Sequence, residues 1–114
     1  MKKMLKLWKN RLGLGDWKIK LNENVSPNDL ISQNAFGECT YDTVHKVAEI
    51  SIASEKDCQG RLVNFDKEKT LVHELLHCKF AIIDDSGNDI VDRFIHQLIE
   101  DLAKALIKTH RGKL

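Results

Sequence analysis

The sequence lacks any apolar run approaching the roughly 20 residues that a membrane-spanning helix requires. Its N-terminal segment is rich in lysine, as a secretion signal is, but Lys6 and Lys9 interrupt the apolar core that such a signal needs. We therefore expect a cytoplasmic protein that has no membrane partner.

A strong charge of one sign is also missing, because the formal net charge is only +1 at neutral pH. No nucleic-acid partner is therefore indicated. The three cysteines, Cys39, Cys58 and Cys78, are widely spaced and form no C-x-x-C pair. This pattern indicates neither a zinc knuckle nor a disulfide framework, and it favours reduced thiols.

The hydrophobic pattern predicts a single α+β domain over residues 1–114, because 114 residues suffice for one modest core but not for two. The predicted elements are a helix over residues 2–12, strands over 16–21, 35–41 and 46–52, and helices over 67–83 and 89–109. Residues 22–34 are predicted to form a loop. The short connection after the second strand favours an antiparallel hairpin, so we expect a small, mostly antiparallel three-stranded sheet with the helices on one face.

The segment His73-Glu74-Leu75-Leu76-His77 spells H-E-x-x-H. On a helix the two histidines are one turn apart on the same face, so both imidazoles can reach one Zn²⁺. Glu74 is turned about 100° away and can approach a metal-bound water without being a ligand. Asp66 is predicted to cap this helix. The pattern is typical of a zinc-dependent hydrolase.

A catalytic zinc usually takes three protein ligands, and the third is expected on the last helix. Asp92, His96 and Glu100 are the candidates there. We place that helix's apolar stripe on Val91, Phe94, Ile95, Leu98, Leu102 and Leu106. On this stripe Asp92 and His96 lie at the flank and Glu100 points away, so His96 ranks first. Glu100 then remains as a hydrogen-bond acceptor behind His96, and Asp92 as either ligand or acceptor.

The chain resembles the zincin metallopeptidases in four segments. They are the residues from Thr70 to His77, Gly37, the Ile50-Ser51-Ile52 strand and the pattern of residues 97–106. The resemblance is to the very small gluzincin-like proteins, the minigluzincins, and to the short phage and prophage proteins similar to them. It implies a minimal zincin fold, and a substrate-binding strand at residues 46–52. In that family the helix after the zinc motif supplies a glutamate as third ligand. His96 stands where we expect that glutamate, and Glu100 one turn later is the alternative.

The expected function is a zinc metallopeptidase that hydrolyses a peptide or protein substrate with Glu74 as general base for a zinc-activated water. A monomer is the default. The alternative is a latent enzyme or an inactive, zinc-stabilised binding module of phage type. Latency would be explained if the tail from His110 onward folded back onto the metal.

Overall fold

The computed structural model describes residues 1–31, 35–59, 64–84 and 86–112. The elements in chain order are α1 (Lys2–Arg11), β1 (Lys18–Val25), β2 (Gly37–Asp42), β3 (Val47–Ala53), α2 (Lys67–Lys79) and α3 (Asp89–His110). Short 3₁₀ turns follow β1 at Pro27–Asp29 and β3 at Glu55–Cys58. The predicted α+β class and order of elements are thus confirmed. In the described ranges, no helix has the length and apolar character needed to cross a membrane.

The sheet is mixed, and its strand order is β1-β3-β2. The hairpin of β2 and β3 is antiparallel, as predicted, but β1 pairs with β3 in parallel. The prediction of a mostly antiparallel sheet is therefore wrong. β3 holds the central position because it carries the most buried side chains, with Ile50 and Ile52 fully inaccessible to solvent. Alternation along a strand tells which side chains are buried, but it does not tell which strand lies beside it.

The polar stretch after Leu21 continues as strand, so the predicted loop is wrong for residues 22–25. Asn22 donates hydrogen bonds across the pair to Glu49 Oε2 at 2.8 Å and Ser51 Oγ at 3.2 Å. The strand ends irregularly, with a register shift between Asn22 and Val25. An edge strand whose outward side chains are polar has the composition of a loop, which explains the error. Residues 32–34 of the predicted loop lie outside the described residues.

Helix α2 begins where the sequence predicts but ends at Lys79, four residues before the predicted end at Ile83. Asp66 caps it, because its side chain accepts from the backbone N–H of Lys69 at 3.1 Å. Residues 80–84 form turns instead of a further helical turn. The turns expose Ile82 and return the chain toward the helix at Asp84.

Helix α3 has nearly the predicted bounds, but it presents a different face to the core. Its buried residues are Ile95, Ile99, Ala103 and Ile107. Val91 and Phe94, which were assigned to the apolar stripe, are 41% and 66% exposed. The helix is therefore rotated by about a quarter turn from the predicted orientation. This rotation turns His96 and Glu100 toward α2.

The core lies between the sheet and the helices. Ile50 and Ile52 of β3 meet Leu71 and Leu75 of α2 there, and Ile99 of α3 joins the same cluster. Helix α2 contacts β2, β3 and α3. The H-E-x-x-H residues are therefore held on an element that is packed on several sides.

Candidate metal centre

Three histidines from two helices meet in one cluster. His73 and His77 lie on α2, and His96 lies on α3. Their ring centroids form an almost equilateral triangle with sides of 5.1, 5.3 and 5.4 Å. One nitrogen from each ring lies within 4.8 Å of the others. Among the described residues, no other group of three or more histidine, cysteine, aspartate or glutamate side chains has this arrangement.

The orientation of His77 is set by Asp84, which lies in the turn after α2. His77 Nδ1 is 2.8 Å from Asp84 Oδ2. An ionised carboxylate can only accept a hydrogen bond, so Nδ1 carries the proton and Nε2 keeps its lone pair. The Tyr41 hydroxyl of β2 donates to the same oxygen at 3.2 Å. Sequence reasoning missed Asp84, because it sought carboxylate partners only on the last helix. A carboxylate seven residues after His77 is a signal that becomes readable once α2 is known to end at Lys79.

His73 faces a second carboxylate, from α3. Its Nδ1 lies 3.8 Å from Glu100 Oε1, and Lys69 Nζ lies 2.9 Å from the same oxygen. Glu100 Oε1 is shielded from solvent and receives no well-aligned hydrogen bond. Burial, reinforced by the neighbouring His77, lowers the pKa of His73 to about 4. The imidazole is therefore neutral near pH 7, which is the form that binds a metal.

Glu74 is buried next to this cluster, with only 6% of its surface exposed. Burial raises the pKa of its carboxyl to about 8, and nearby Cys78 and Glu38 add to the effect. Strand β2 passes close to it at Gly37. A Cβ added at Gly37 would stand 3.3 Å from Glu74 Oε2 and 2.8 Å from Thr70 Cγ2. A residue without a side chain thus lets the strand approach the carboxylate.

The three third-ligand candidates lie in different places. His96 belongs to the histidine cluster. Glu100 lies behind His73, whereas the sequence predicts it behind His96 and pointing away from the apolar stripe of α3. Asp92 lies apart from the cluster, since its carboxylate accepts from the backbone N–H and the hydroxyl of Ser86, both at 2.7 Å. Of the three, His96 is therefore the one placed to share an ion with His73 and His77.

The residues of the tail that are described do not reach the histidine cluster. His110 Nδ1 lies 2.8 Å from Arg11 Nη1, and its ring packs edge-on against Trp8. Arg111 donates to both carboxylate oxygens of Asp66, at 2.6 and 3.0 Å. These contacts hold the tail at the N-terminal end of α2, about two turns before His73. The expectation that the tail folds back onto the metal is therefore wrong for residues 110–112. Residues 113–114 lie outside the described residues.

The topology also overturns the substrate strand that the resemblance implied. Residues 46–52 coincide with β3, which is paired on both sides. A strand without a free edge cannot pair with an extended peptide.

The edge strand that borders Glu74 is β2. Ala53 N–H donates to Phe36 C=O at 2.7 Å. Because outward and inward groups alternate in an antiparallel pair, the backbone groups of Gly37 and Cys39 then point away from β3.

The donor set fits Zn²⁺. It consists of three imidazoles, the number and type of protein ligands that catalytic zinc sites use. The Nδ1 of His77 is hydrogen-bonded to the Asp84 carboxylate, the arrangement that orients the other ring nitrogen for a metal. His73 and His77 are half-buried and His96 is exposed. One side of the cluster is therefore open to solvent.

Comparisons of this chain with protein-family models, with curated proteins and with solved structures find no match.

Proposed function

We propose that this protein is a zinc-dependent metallopeptidase that cleaves peptide bonds in an extended peptide or protein substrate. The observation that supports it best is the triangle of His73, His77 and His96 beside a buried Glu74. The H-E-x-x-H motif supplies two of these histidines and the glutamate at the spacing that the chemistry needs. The zincin resemblance points to the same reaction.

Each residue has a distinct role in the proposal. His73, His77 and His96 hold the zinc, which when bound supplies a Lewis acid that acidifies water and polarises a carbonyl. Glu74 accepts the proton of the attacking water at its carboxylate and passes it to the leaving amine. Asp84 keeps His77 in the tautomer that leaves Nε2 unprotonated.

The substrate is proposed to lie along the outer edge of β2. That edge presents backbone groups at Gly37 and Cys39, and an extended peptide can pair with such groups as an added strand. At Gly37 the strand passes close to the Glu74 carboxylate, because a Cβ built there would lie 3.3 Å from Glu74 Oε2. A peptide on this edge would therefore bring one of its amides near the proposed base.

The first test is metal content, measured by native mass spectrometry on protein purified with zinc present. We expect one zinc in the wild type, loss of zinc in His96→Ala, and retention in the matched control Asp92→Asn. Glu100→Ala should keep the metal with reduced affinity, because that carboxylate lies 3.8 Å from a ligand nitrogen rather than in the cluster. Absence of zinc from the wild type under these conditions would overturn the proposal. Loss with Glu100→Ala and not with His96→Ala would replace His96 by the glutamate of the gluzincin pattern.

The second test separates an enzyme from a binding module. Wild type and Glu74→Gln, both carrying zinc, are incubated with an unfolded protein substrate and with a mixture of peptides, and cleavage is followed by mass spectrometry. We expect cleavage by the wild type and its loss in Glu74→Gln with zinc retained. Equal cleavage by both would exclude Glu74 as the base. Zinc binding without cleavage by the wild type would favour the zinc-stabilised binding module.

A further inference from the structure

Two cysteines that are far apart in the sequence are in contact in the fold. Cys39 Sγ on β2 lies 3.6 Å from Cys78 Sγ on α2, and both are reduced. Cys78 is buried, at 3% exposure, whereas Cys39 is only partly buried. The peptidase chemistry proposed above uses neither thiol.

The contact follows from the way β2 runs along α2. Residues at alternate positions of the strand meet partners in order along the chain, two of them on α2 and the third in the turn that follows it. Gly37 adjoins Glu74, Cys39 adjoins Cys78, and Tyr41 reaches Asp84. Two residues of strand span about 6.7 Å and four residues of helix about 6 Å, so the two elements stay in step. The course of β2 along α2 therefore places Cys39 opposite Cys78.

We propose that Cys39 and Cys78 form an oxidation site that closes to an intramolecular disulfide when it reacts with a small-molecule disulfide such as oxidised glutathione. A disulfide needs the sulfurs about 2.05 Å apart, so closure moves them about 1.5 Å nearer to each other. Rotation of two side chains that already touch can supply much of that distance. The proposal does not depend on the metallopeptidase function, because its readout is the covalent state of the thiols.

With oxidised glutathione as the oxidant, the reaction has two steps. Cys39, the more accessible thiol, loses its proton to solvent and attacks the glutathione disulfide, which forms a mixed disulfide and releases one glutathione thiolate. The thiolate of Cys78 then attacks the sulfur of Cys39, which forms the protein disulfide and releases a second glutathione. The protein loses two electrons and two protons, and both glutathione molecules leave as thiols. Reversal requires a dithiol reductant.

Closure would join the edge strand to the helix that carries the zinc motif, at the residue after His77. The bond closes a loop of about 40 residues, which restricts the unfolded chain strongly. We expect the melting temperature of the oxidised protein to exceed that of the reduced protein by about 10 °C. Reduction with dithiothreitol should remove the difference.

The experiment treats the folded full-length protein with oxidised glutathione in the presence of a chelator and measures intact mass and peptide maps. Cys58 provides the matched control, because it is buried in a separate cluster with Leu30 and Ala53. We expect the wild type and Cys58→Ala to lose about 2 Da, with Cys39 and Cys78 linked in one peptide pair. Cys78→Ala should instead stop at a glutathione adduct on Cys39, and Cys39→Ala should form no protein disulfide.

Other outcomes would overturn the proposal. They are a stable glutathione adduct on wild-type Cys39 with no loss of 2 Da, a disulfide that includes Cys58, and a Cys39–Cys78 bond that forms only after the protein is unfolded. A melting temperature that falls on oxidation would also count against it, because the fold would then be strained by the bond. The double variant Cys39→Ala/Cys78→Ala shows whether any thermal shift comes from the disulfide, since its melting temperature should not respond to the oxidant.

Discussion

Replacing Glu74 by glutamine should make the metal-free protein increasingly more stable than the wild type as the pH rises above 4.5. Burial raises the pKa of Glu74 from 4.5 to about 8 in the folded protein. Each unit corresponds to about 1.4 kcal/mol, so the ionised carboxylate destabilises the fold by roughly 5 kcal/mol once the pH exceeds 8. This is a large part of the 5–15 kcal/mol by which small domains are usually stable.

The sign follows from proton binding. Between pH 4.5 and 8 the folded protein keeps the Glu74 proton that the unfolded chain releases, so the free energy of unfolding falls as the pH rises. Below pH 4.5 both states carry the proton and the penalty disappears. Glutamine has no proton to release, and it resembles the protonated acid in size and polarity. Wild type and Glu74→Gln should therefore have similar stability at pH 4.5 and diverge as the pH rises.

Urea unfolding of both proteins in a chelating buffer, at each pH unit from 5 to 8, measures this divergence. We expect Glu74→Gln to gain about 3 kcal/mol over the wild type at pH 7. All other groups titrate in both proteins, so the difference reports on Glu74 alone. Parallel pH profiles for the two proteins would refute the reasoning, because they would mean that the carboxylate is well solvated in the fold.

Three further substitutions test other contacts. Asp84→Asn removes the charge that holds His77, and we expect zinc affinity to fall about 10–100-fold in a competition assay with a chromophoric chelator; unchanged affinity would show that this contact does not support the metal site. Gly37→Ala places a Cβ 2.8 Å from a methyl group of α2, whereas at Gly15 an added Cβ meets nothing within 4 Å. The first should lower stability by about 1–3 kcal/mol in thermal melts, and Gly15→Ala should have little effect. Asp66→Ala removes the helix cap and the partner of Arg111, and a loss of about 1–2 kcal/mol is expected in urea unfolding.

The part of the site that lies within one helix could be predicted from the sequence. His73 and Glu74 are adjacent, and His77 follows His73 by about one helical turn. The relative placement of the three residues therefore follows from helix geometry alone. The cap at Asp66 has the same local character. Such features need only the correct identification of one helix.

Features that join two elements were harder to predict. The sequence pattern predicts the wrong buried face for α3, because it assigns large apolar residues at the start of the helix, such as Phe94, to the core. His96, which ranks first as third ligand in the sequence analysis, lies close to the other two histidines, and its role as a ligand stays a prediction. The contact of Asp84 with His77 depends on where α2 ends. The contact of Cys39 with Cys78 depends on how β2 lies along α2. No local pattern in the sequence encodes either relation.

The mixed sheet has a consequence for the order in which the protein folds. β2 and β3 are joined by a short turn, and their hairpin brings together residues that are close in the chain. Within the described residues β1 pairs only with β3, and partner residues such as Lys18 and Val47 lie far apart in the chain, with β2 between them. Contacts between distant residues form late, because closing the intervening chain costs entropy before any contact is gained. The hairpin that carries Gly37 and Cys39 can therefore form first, and both β1 and α2, whose partner residues in the hairpin are distant in the chain, dock onto it afterward.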